Sequence, residues 1–315
     1  MIEGQEGVTW EQWVALARAC EEHGLQGLFR SDHYLSFDDP GRRGALDAWT
    51  TIAALAPITG RIRLGTMVSP VTFRHPSLLA KAVVTADHAS GGRVELGIGA
   101  GWFEREHQAY GFAFPPTAGR MDVLGEQIEI VHRLWDRDED EVSFEGRHYR
   151  LDTCVALPKP VQEPHPPLIV GGAAGPRSAA LAARWADEYD VTSVDPAGAR
   201  ERRARVAAAC EAIDRDPAEI RFSIMTTAVV GADRSELERR ARALLDVEGE
   251  GDDVEGFLGE PRPHQLVGTV DRVLERLRDF ADAGVQRVFL QHLVHDDLEM
   301  VELVGREIVP AVAEL

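Results

Sequence analysis

The sequence predicts a (β/α)8 barrel, an α/β fold in which eight parallel strands alternate with helices. Three observations carry this. Residues 61–102 read as two short apolar runs flanking a helical run at 75–90, which is the pattern of a parallel βαβ unit. The same alternation of strand and helix continues to the end of the chain. Finally, Gly24-Leu-Gln-Gly-Leu-Phe29 and Gly284-Val-Gln-Arg-Val-Phe289 repeat one helix-stop, turn and strand phrase near opposite ends. A length of 315 residues suits one such barrel, and residues 1–315 are read as one domain.

The elements follow in order. Residues 1–7 are short and polar for a central strand, so the first strand is minimal. A helix is predicted over 9–23, with Trp10, Trp13, Val14, Ala17 and Cys20 on one face, Thr9 as N-cap and Gln12 at the capping-box position. Strand two is 27–31. A polar loop at 37–45 is a candidate lid. Helix 47–59 leads to the unit at 61–102. A short helix or turn at 104–111 and a longer helix at 120–135 follow, then an acidic run at 136–141. Residues 142–160 alternate weakly around Gly146, as a small hairpin outside the barrel would. They form an insertion between strands four and five.

Strand five is 167–172, before an Ala-rich helix at 176–186. Strand six is 189–193, helix 197–213 is charged, and strand seven is 220–231. A helix at 235–247 precedes an acidic, Gly- and Pro-containing stretch at 248–263, expected to be mobile. Apolar residues at 270, 273, 274, 277, 280 and 281 mark a helix at 269–283. Strand eight is 285–293, and 298–314 is the closing helix.

Composition excludes several classes. A formal net charge of -19 argues against a nucleic-acid partner, which needs a basic face. No apolar run approaches membrane-spanning length, and the N-terminus has no signal-peptide pattern. Cys20, Cys154 and Cys210 lie far apart with no CxxC. They point to a reducing cytoplasm and give neither a disulfide framework nor a metal signature.

Three constellations sit at strand ends, where parallel α/β folds bind ligands. Asp32-His33 follows strand two. A histidine there exchanges a proton near neutral pH, and a neighbouring carboxylate orients it; a capping Asp beside a surface His is the bland alternative. Gly97-x-Gly99-x-Gly101-Trp102 is not the dinucleotide fingerprint, because its third glycine comes one position early. It exposes backbone N–H groups beside an aromatic ring, although small interior residues of a barrel strand would also explain the glycines. Gly171-Gly-Ala-Ala-Gly-Pro-Arg177 enters a helix with Pro176 at its first position. Free N–H groups and Arg177 make a phosphate-type anion site, unless this is only a tight turn. Arg74-His75-Pro76 adds positive charge at the same face, and His292 ends strand eight.

These residues resemble the luciferase-like monooxygenase superfamily, in particular its coenzyme F420-dependent oxidoreductases. The matching elements are Ser31-Asp-His-Tyr34, Arg61-Ile-Arg-Leu-Gly-Thr-Met-Val68, Phe73-Arg-His-Pro76, Ser90-Gly-Gly-Arg93, Gly97-Ile-Gly-Ala-Gly-Trp102 and Leu168-Ile-Val-Gly-Gly172. The resemblance implies a TIM barrel of the bacterial luciferase-like type, holding F420 or, alternatively, FMN at the strand ends. It implies that the ring lies over strand three, where relatives often have a non-prolyl cis peptide; the matching bond is Met67-Val68. It places Asp32 at the ring edge, His33 at the reactive centre, Ala100, Gly101 and Trp102 beside the ring and side chain, and Gly171, Gly172 and Arg177 at the phosphate.

Two departures stand out. The chain begins inside strand one, earlier residues being usual in the family. Trp102 stands where the family's sugar-phosphate dehydrogenases carry a catalytic glutamate, which disfavours a sugar-phosphate substrate. The expected activity is hydride transfer between F420 and a small organic molecule, with catalytic His33 and Asp32 and no metal. An FMN-dependent monooxygenase using O2 is the alternative, and a non-catalytic ligand-binding barrel is the alternative of another class. A cytoplasmic homodimer with a small-molecule substrate, no nucleic acid and no membrane is expected.

Overall fold

The structure is a computed structural model describing residues 1–39, 41–259 and 262–313. Thr9 caps α1 (Trp10–Glu22): its hydroxyl accepts from the Gln12 N–H at 3.2 Å, while Gln12 Oε1 accepts from the Thr9 N–H at 2.8 Å. Then come β1 (Gly27–Arg30), α2 (Ala48–Leu55), β2 (Arg63–Thr66), the two-residue β3 (Ser69–Pro70), α3 (Pro76–Ser90) and β4 (Val94–Gly99). Then come α4 (Glu104–Tyr110) and α5 (Thr117–Trp135), and the predicted insertion is an antiparallel hairpin of β5 (Glu141–Glu145) and β6 (Arg150–Val155). The second half runs β7 (Leu168–Gly171), α6 (Pro176–Trp185), β8 (Glu188–Thr192), α7 (Pro196–Glu211), β9 (Arg221–Gly231), α8 (Arg234–Glu248) and α9 (Val254–Gly259). It ends with β10 (Leu266–Thr269), α10 (Val270–Asp282), β11 (Arg287–Gln291), α11 (Leu298–Leu303) and α12 (Val309–Val312).

The strands pair in parallel in the order β1, β2, β4, β7, β8, β9, β11. Met1 and Ile2 close the ring. The Ile2 N–H donates to Phe29 O at 2.9 Å, and Ile2 O accepts from Ser31 N at 3.0 Å. On the other side, Met1 N donates to Leu290 O at 2.8 Å, and His292 N donates to Met1 O at 2.9 Å. The expected minimal first strand is therefore two residues long. On its N-terminal side β1 and β11 part around an apolar cleft of about 630 Å³, lined by Leu28, Leu277, Phe280, Val301 and Ile308 among others.

The repeated phrase at 24–29 and 284–289 places its two phenylalanines inside the barrel, edge to face at 4.9 Å. With Met67, Ile169 and Met225 they form a buried apolar cluster. The N-terminal mouth is charged: the Arg287 guanidinium stacks over Phe29 and Phe289 and donates to Glu95 at 2.7 Å and Glu188 at 3.1 Å. Burial, and then the Glu188 charge, push the Asp190 carboxyl well above the usual range.

The stretch 248–263, expected to be mobile, contains α9, its first turn tied by Gly256 N to Asp253 Oδ1 at 2.8 Å. Residues 260 and 261 of that stretch lie outside the described residues, as does residue 40 of the loop at 37–45. The strand β10 was not foreseen; it pairs with the last four residues of the long β9. Four residues, three of them buried, carry too little alternation to register. The closing helix is α11, a π-turn at Val304–Ile308 and α12, and residue 314 falls outside the described residues. Among the described residues, no helix is long and apolar enough to cross a membrane.

Three histidines, His292 buried and His132 and His295 half-buried, are held toward the neutral form. Burial pulls His292 down to about 3, with help from His295 and the N-terminal ammonium. Burial likewise pulls His295 and His132 down to about 4. In the unfolded chain each titrates near ~6.5. Above that pH neither state binds these protons; below it only the unfolded chain does, so stability falls as pH drops from about 6.5 toward the folded values. At pH ~5 each histidine removes on the order of 2 kcal/mol. The melting temperature should therefore decline well before the carboxylates protonate, and His292→Gln should flatten that decline. A melting temperature constant from pH 6.5 to 5 would show that these side chains are not held neutral.

Candidate functional site

Asp32 follows β1, Val68 follows β2, Gly101 follows β4 and Gly172 follows β7. Because these strands are parallel neighbours, all four residues share one rim, at the strand C-termini. The Met67–Val68 peptide bond is cis, as the sequence resemblance implies. The Val68 side chain fits where neighbouring strands lack side chains: a Cβ on Gly99 or Gly171 would come within 2.8 or 2.9 Å of its methyl groups. Gly101 has φ +78°, where a side chain would be strained. Small residues at these strand ends thus serve close backbone packing around Val68.

Asp32 and His33 are adjacent in sequence but have different side-chain partners. Successive side chains of extended backbone point to opposite faces. Asp32 turns inward and is 1% exposed. Its carboxylate accepts from Arg74 Nη1 at 2.5 Å, Arg74 Nη2 at 3.1 Å and the Ser69 hydroxyl at 2.6 Å. Arg74 also donates to Asp47 at 2.6 Å and to Tyr34 Oη at 2.8 Å, and the Tyr34 hydroxyl donates to Asp47 at 2.8 Å. Burial works to raise the Asp47 carboxyl, but the Thr50 N–H, Arg74 and the Tyr34 hydroxyl outweigh it and hold it at about 2. Burial raises the Tyr34 phenol.

His33 turns the other way, so the expected orientation by Asp32 is corrected: its carboxylate partner is Glu106. Nδ1 lies 2.7 Å from Glu106 Oε2. Glu106 is 0% exposed, and its Oε1 accepts the Tyr34 and Leu35 N–H groups. Around the imidazole stand Phe37, Trp102 and Phe103, at ring-centroid distances of 5.0, 5.9 and 6.1 Å. Trp102 is 63% exposed, which leaves a large apolar face open beside a titratable ring. The loop at 37–45 is tethered rather than free. Glu6 accepts from the Ser36 hydroxyl and the Phe37 N–H, and Arg43 reaches both Glu6 and Val247 O.

The sequence reading did not single out Glu106, although one signal was present. Phe103, Glu106, His107 and Tyr110 fall at i, i+3, i+4 and i+7, one face of a helix, and Glu106 and His107 are the two buried residues of α4.

At the third constellation, Gly175 precedes α6 with Pro176 at its first position and no side-chain cap. Its first-turn N–H groups suit an anion. Arg177, however, already donates to Ala118 O and pairs with Asp122, with about half its side chain exposed. Gly172 matters for a different reason. A Cβ there would come 2.9 Å from Tyr189 Oη, which accepts from Ala174 N and donates to Ser178 Oγ, both at this turn. Gly172→Ala should displace that hydroxyl and cost about 1–3 kcal/mol for the groups left unpaired. Urea unfolding reads this directly, and an unchanged midpoint would mean that Tyr189 yields freely.

The two other histidines that the sequence places at strand ends, His75 and His292, are less suited to chemistry. His75 caps α3, accepting from Ser77 N at 3.3 Å. His292 is buried, its Nε2 without a partner among the described residues.

Comparison with known proteins adds three findings. The luciferase-like monooxygenase family model matches residues 2–287. The chain is 37% identical over 180 residues to an F420-dependent glucose-6-phosphate dehydrogenase from Nakamurella multipartita, covering 56% of this chain and 51% of the relative. It is 33% identical over 237 residues to an F420-dependent hydroxymycolic acid dehydrogenase from Mycobacterium tuberculosis, covering 75% and 63%. The matched stretch thus spans half to under two thirds of these relatives. Among solved structures, monooxygenase RslO1 from Streptomyces bottropensis superposes with a TM-score of 0.78 at 26% identity, covering 96% of this chain and 93% of that one.

Proposed function

The chain belongs to the luciferase-like monooxygenase family, and from that membership we propose that it is an F420-dependent oxidoreductase acting on a small organic molecule. The observation that carries this reading is His33: a titratable ring at the strand C-termini, backed by Glu106 and flanked by an open aromatic face. The kinship with two F420-dependent dehydrogenases supports the cofactor.

The residues present fit such a group. The uncapped first turn of α6, entered through Gly171 and Gly172, offers donors to a phosphate. Ala100, Gly101 and Trp102 give a rim with one aromatic wall and little side-chain bulk, and we assign Met67, Val68 and Asp32 to the same rim. When bound, the deazaflavin supplies the acceptor or donor of a hydride. The chain's own part is to orient the substrate and move a proton at His33. An alcohol oxidised here gives its hydroxyl proton to the imidazole, and a carbonyl reduced here takes one back. Trp102 supplies apolar contact, and the guanidiniums of Arg74 and Arg177 already face carboxylates. This favours an uncharged substrate over a sugar phosphate.

The resemblance to RslO1 favours one other reading, a flavin-dependent monooxygenase. Titration with F420 and with FMN separates them: tight F420 binding with negligible FMN binding is the expected result. The reverse preference would replace hydride transfer by oxygen chemistry on the same scaffold.

A further inference from the structure

We propose that Glu106 is a positioning residue for the proton transfer: it fixes His33 Nε2 as the atom that exchanges the proton and balances the imidazolium formed there. This rests on the reading of His33 as the proton-handling group, and deepens it.

The argument starts from donor chemistry. An ionised carboxylate only accepts hydrogen bonds. Glu106 Oε1 is occupied by the Tyr34 and Leu35 N–H groups, and Oε2 lies 2.7 Å from His33 Nδ1. So Nδ1 carries the hydrogen, and in neutral His33 the lone pair is on Nε2. Among the described residues Nε2 has no protein partner, and it is not one of the buried unpartnered atoms. The atom is therefore not sealed from solvent, in a side chain that is 12% exposed.

The position of Glu106 makes this a fixed arrangement. It projects from α4, just beyond β4, and clamps the backbone immediately after His33. One side chain therefore holds the loop at two N–H groups and the ring at one. The two jobs separate by substitution. In Glu106→Gln the amide oxygen accepts both backbone N–H groups, while its NH2 faces Nδ1 and requires the lone pair there. The ring then becomes the Nε2–H tautomer, and Nε2 ceases to be a base.

For an alcohol, the C–H electron pair would leave with its hydrogen as a hydride, which the bound deazaflavin would accept. The O–H bond breaks, its proton passes to Nε2, and its electron pair becomes the second C–O bond. Nε2 gains a positive charge at the far side of a ring whose Nδ1–H points at a buried carboxylate. Reduction of a carbonyl runs the same events backward.

The test begins without a substrate. In protein labelled with 15N-histidine, alone and loaded with F420, the ring nitrogen shifts of His33 at neutral pH should report Nδ1–H with bare Nε2. In Glu106→Gln they should report the other tautomer. Diethyl pyrocarbonate, which attacks the bare nitrogen, should modify His33 in the parent and several-fold more slowly in Glu106→Gln, read by peptide mass mapping. A parent ring protonated only at Nε2 would overturn the proposal, and needs no variant to be seen. The second arm is a double-mutant cycle on single-turnover hydride transfer. Glu106→Gln should slow the parent by roughly 10–100-fold and have little further effect in a His33→Ala background. Equal slowing in both backgrounds would reduce Glu106 to a structural clamp and overturn the proposal. A His33→Ala enzyme at the parent rate would instead remove the underlying reading of His33, so the two failures are distinguishable.

Discussion

His33→Ala should lower kcat by a factor of about 100–10,000 while leaving F420 affinity within a few-fold of the parent. The size follows from general acid–base catalysis. Hydride leaving or reaching carbon builds charge on the substrate heteroatom, and a positioned proton carrier relieves it in the transition state. The selectivity follows from geometry. His33 touches Phe37, Trp102, Phe103 and Glu106, whereas the turn into α6, proposed above for the phosphate, follows β7, with β2 and β4 between it and β1. Removing the ring strips one partner from Glu106, which keeps its two backbone donors, so the stability loss should stay at about 1–3 kcal/mol. The measurement is single-turnover absorbance of the deazaflavin at saturating cofactor. Hydride transfer at the parent rate would take His33 out of the mechanism, and a stability loss without a rate loss would make it a packing residue.

What was legible in the sequence and what was not divides along a physical line. The strands other than β10 were legible because a barrel interior demands short apolar runs; the glycines read as backbone open to a ligand, whereas Gly99 and Gly171 make room for Val68. The cap on α1 was legible because Thr9 and Gln12 stand three apart and bond reciprocally. Such rules are local. The partner of His33 is not local: Glu106 lies 73 positions away, in a short helix that carries Glu104, Arg105 and Glu106 in succession. Only the fold turns one of these three inward. Arg74 was seen as positive charge at the right face, but its commitment to Asp32 and Asp47 required the tertiary structure. The same holds for Arg177, whose tie to Asp122 spans two helices.

Asp32→Ala should be the most destabilising single change at this rim, at about 3–5 kcal/mol, because it breaks a buried ion pair from one side. Asp32 is 1% exposed and the Arg74 side chain 14%. Removing the carboxylate takes two of the guanidinium's acceptors and the nearer acceptor of the Ser69 hydroxyl, which keeps Thr66 Oγ1 at 3.2 Å. Asp47 remains beside Arg74, but its side chain is 36% exposed and it pairs through one oxygen. Arg74→Met should also be destabilising, since it leaves Asp32 buried with only Ser69, and it should let Asp47 titrate higher than its present value of about 2. The double variant Asp32→Ala/Arg74→Met should lose less than the sum, with a coupling of about 1–3 kcal/mol. Urea unfolding of the four proteins measures this coupling, and strict additivity would mean that the pair contributes nothing as a pair. The same proteins test the proposed contact of Asp32 with the cofactor ring. If Asp32 acts only on Arg74 and Ser69, the folded fraction of Asp32→Ala binds F420 as tightly as Arg74→Met does. If its carboxylate also meets the ring edge, Asp32→Ala loses affinity that Arg74→Met retains.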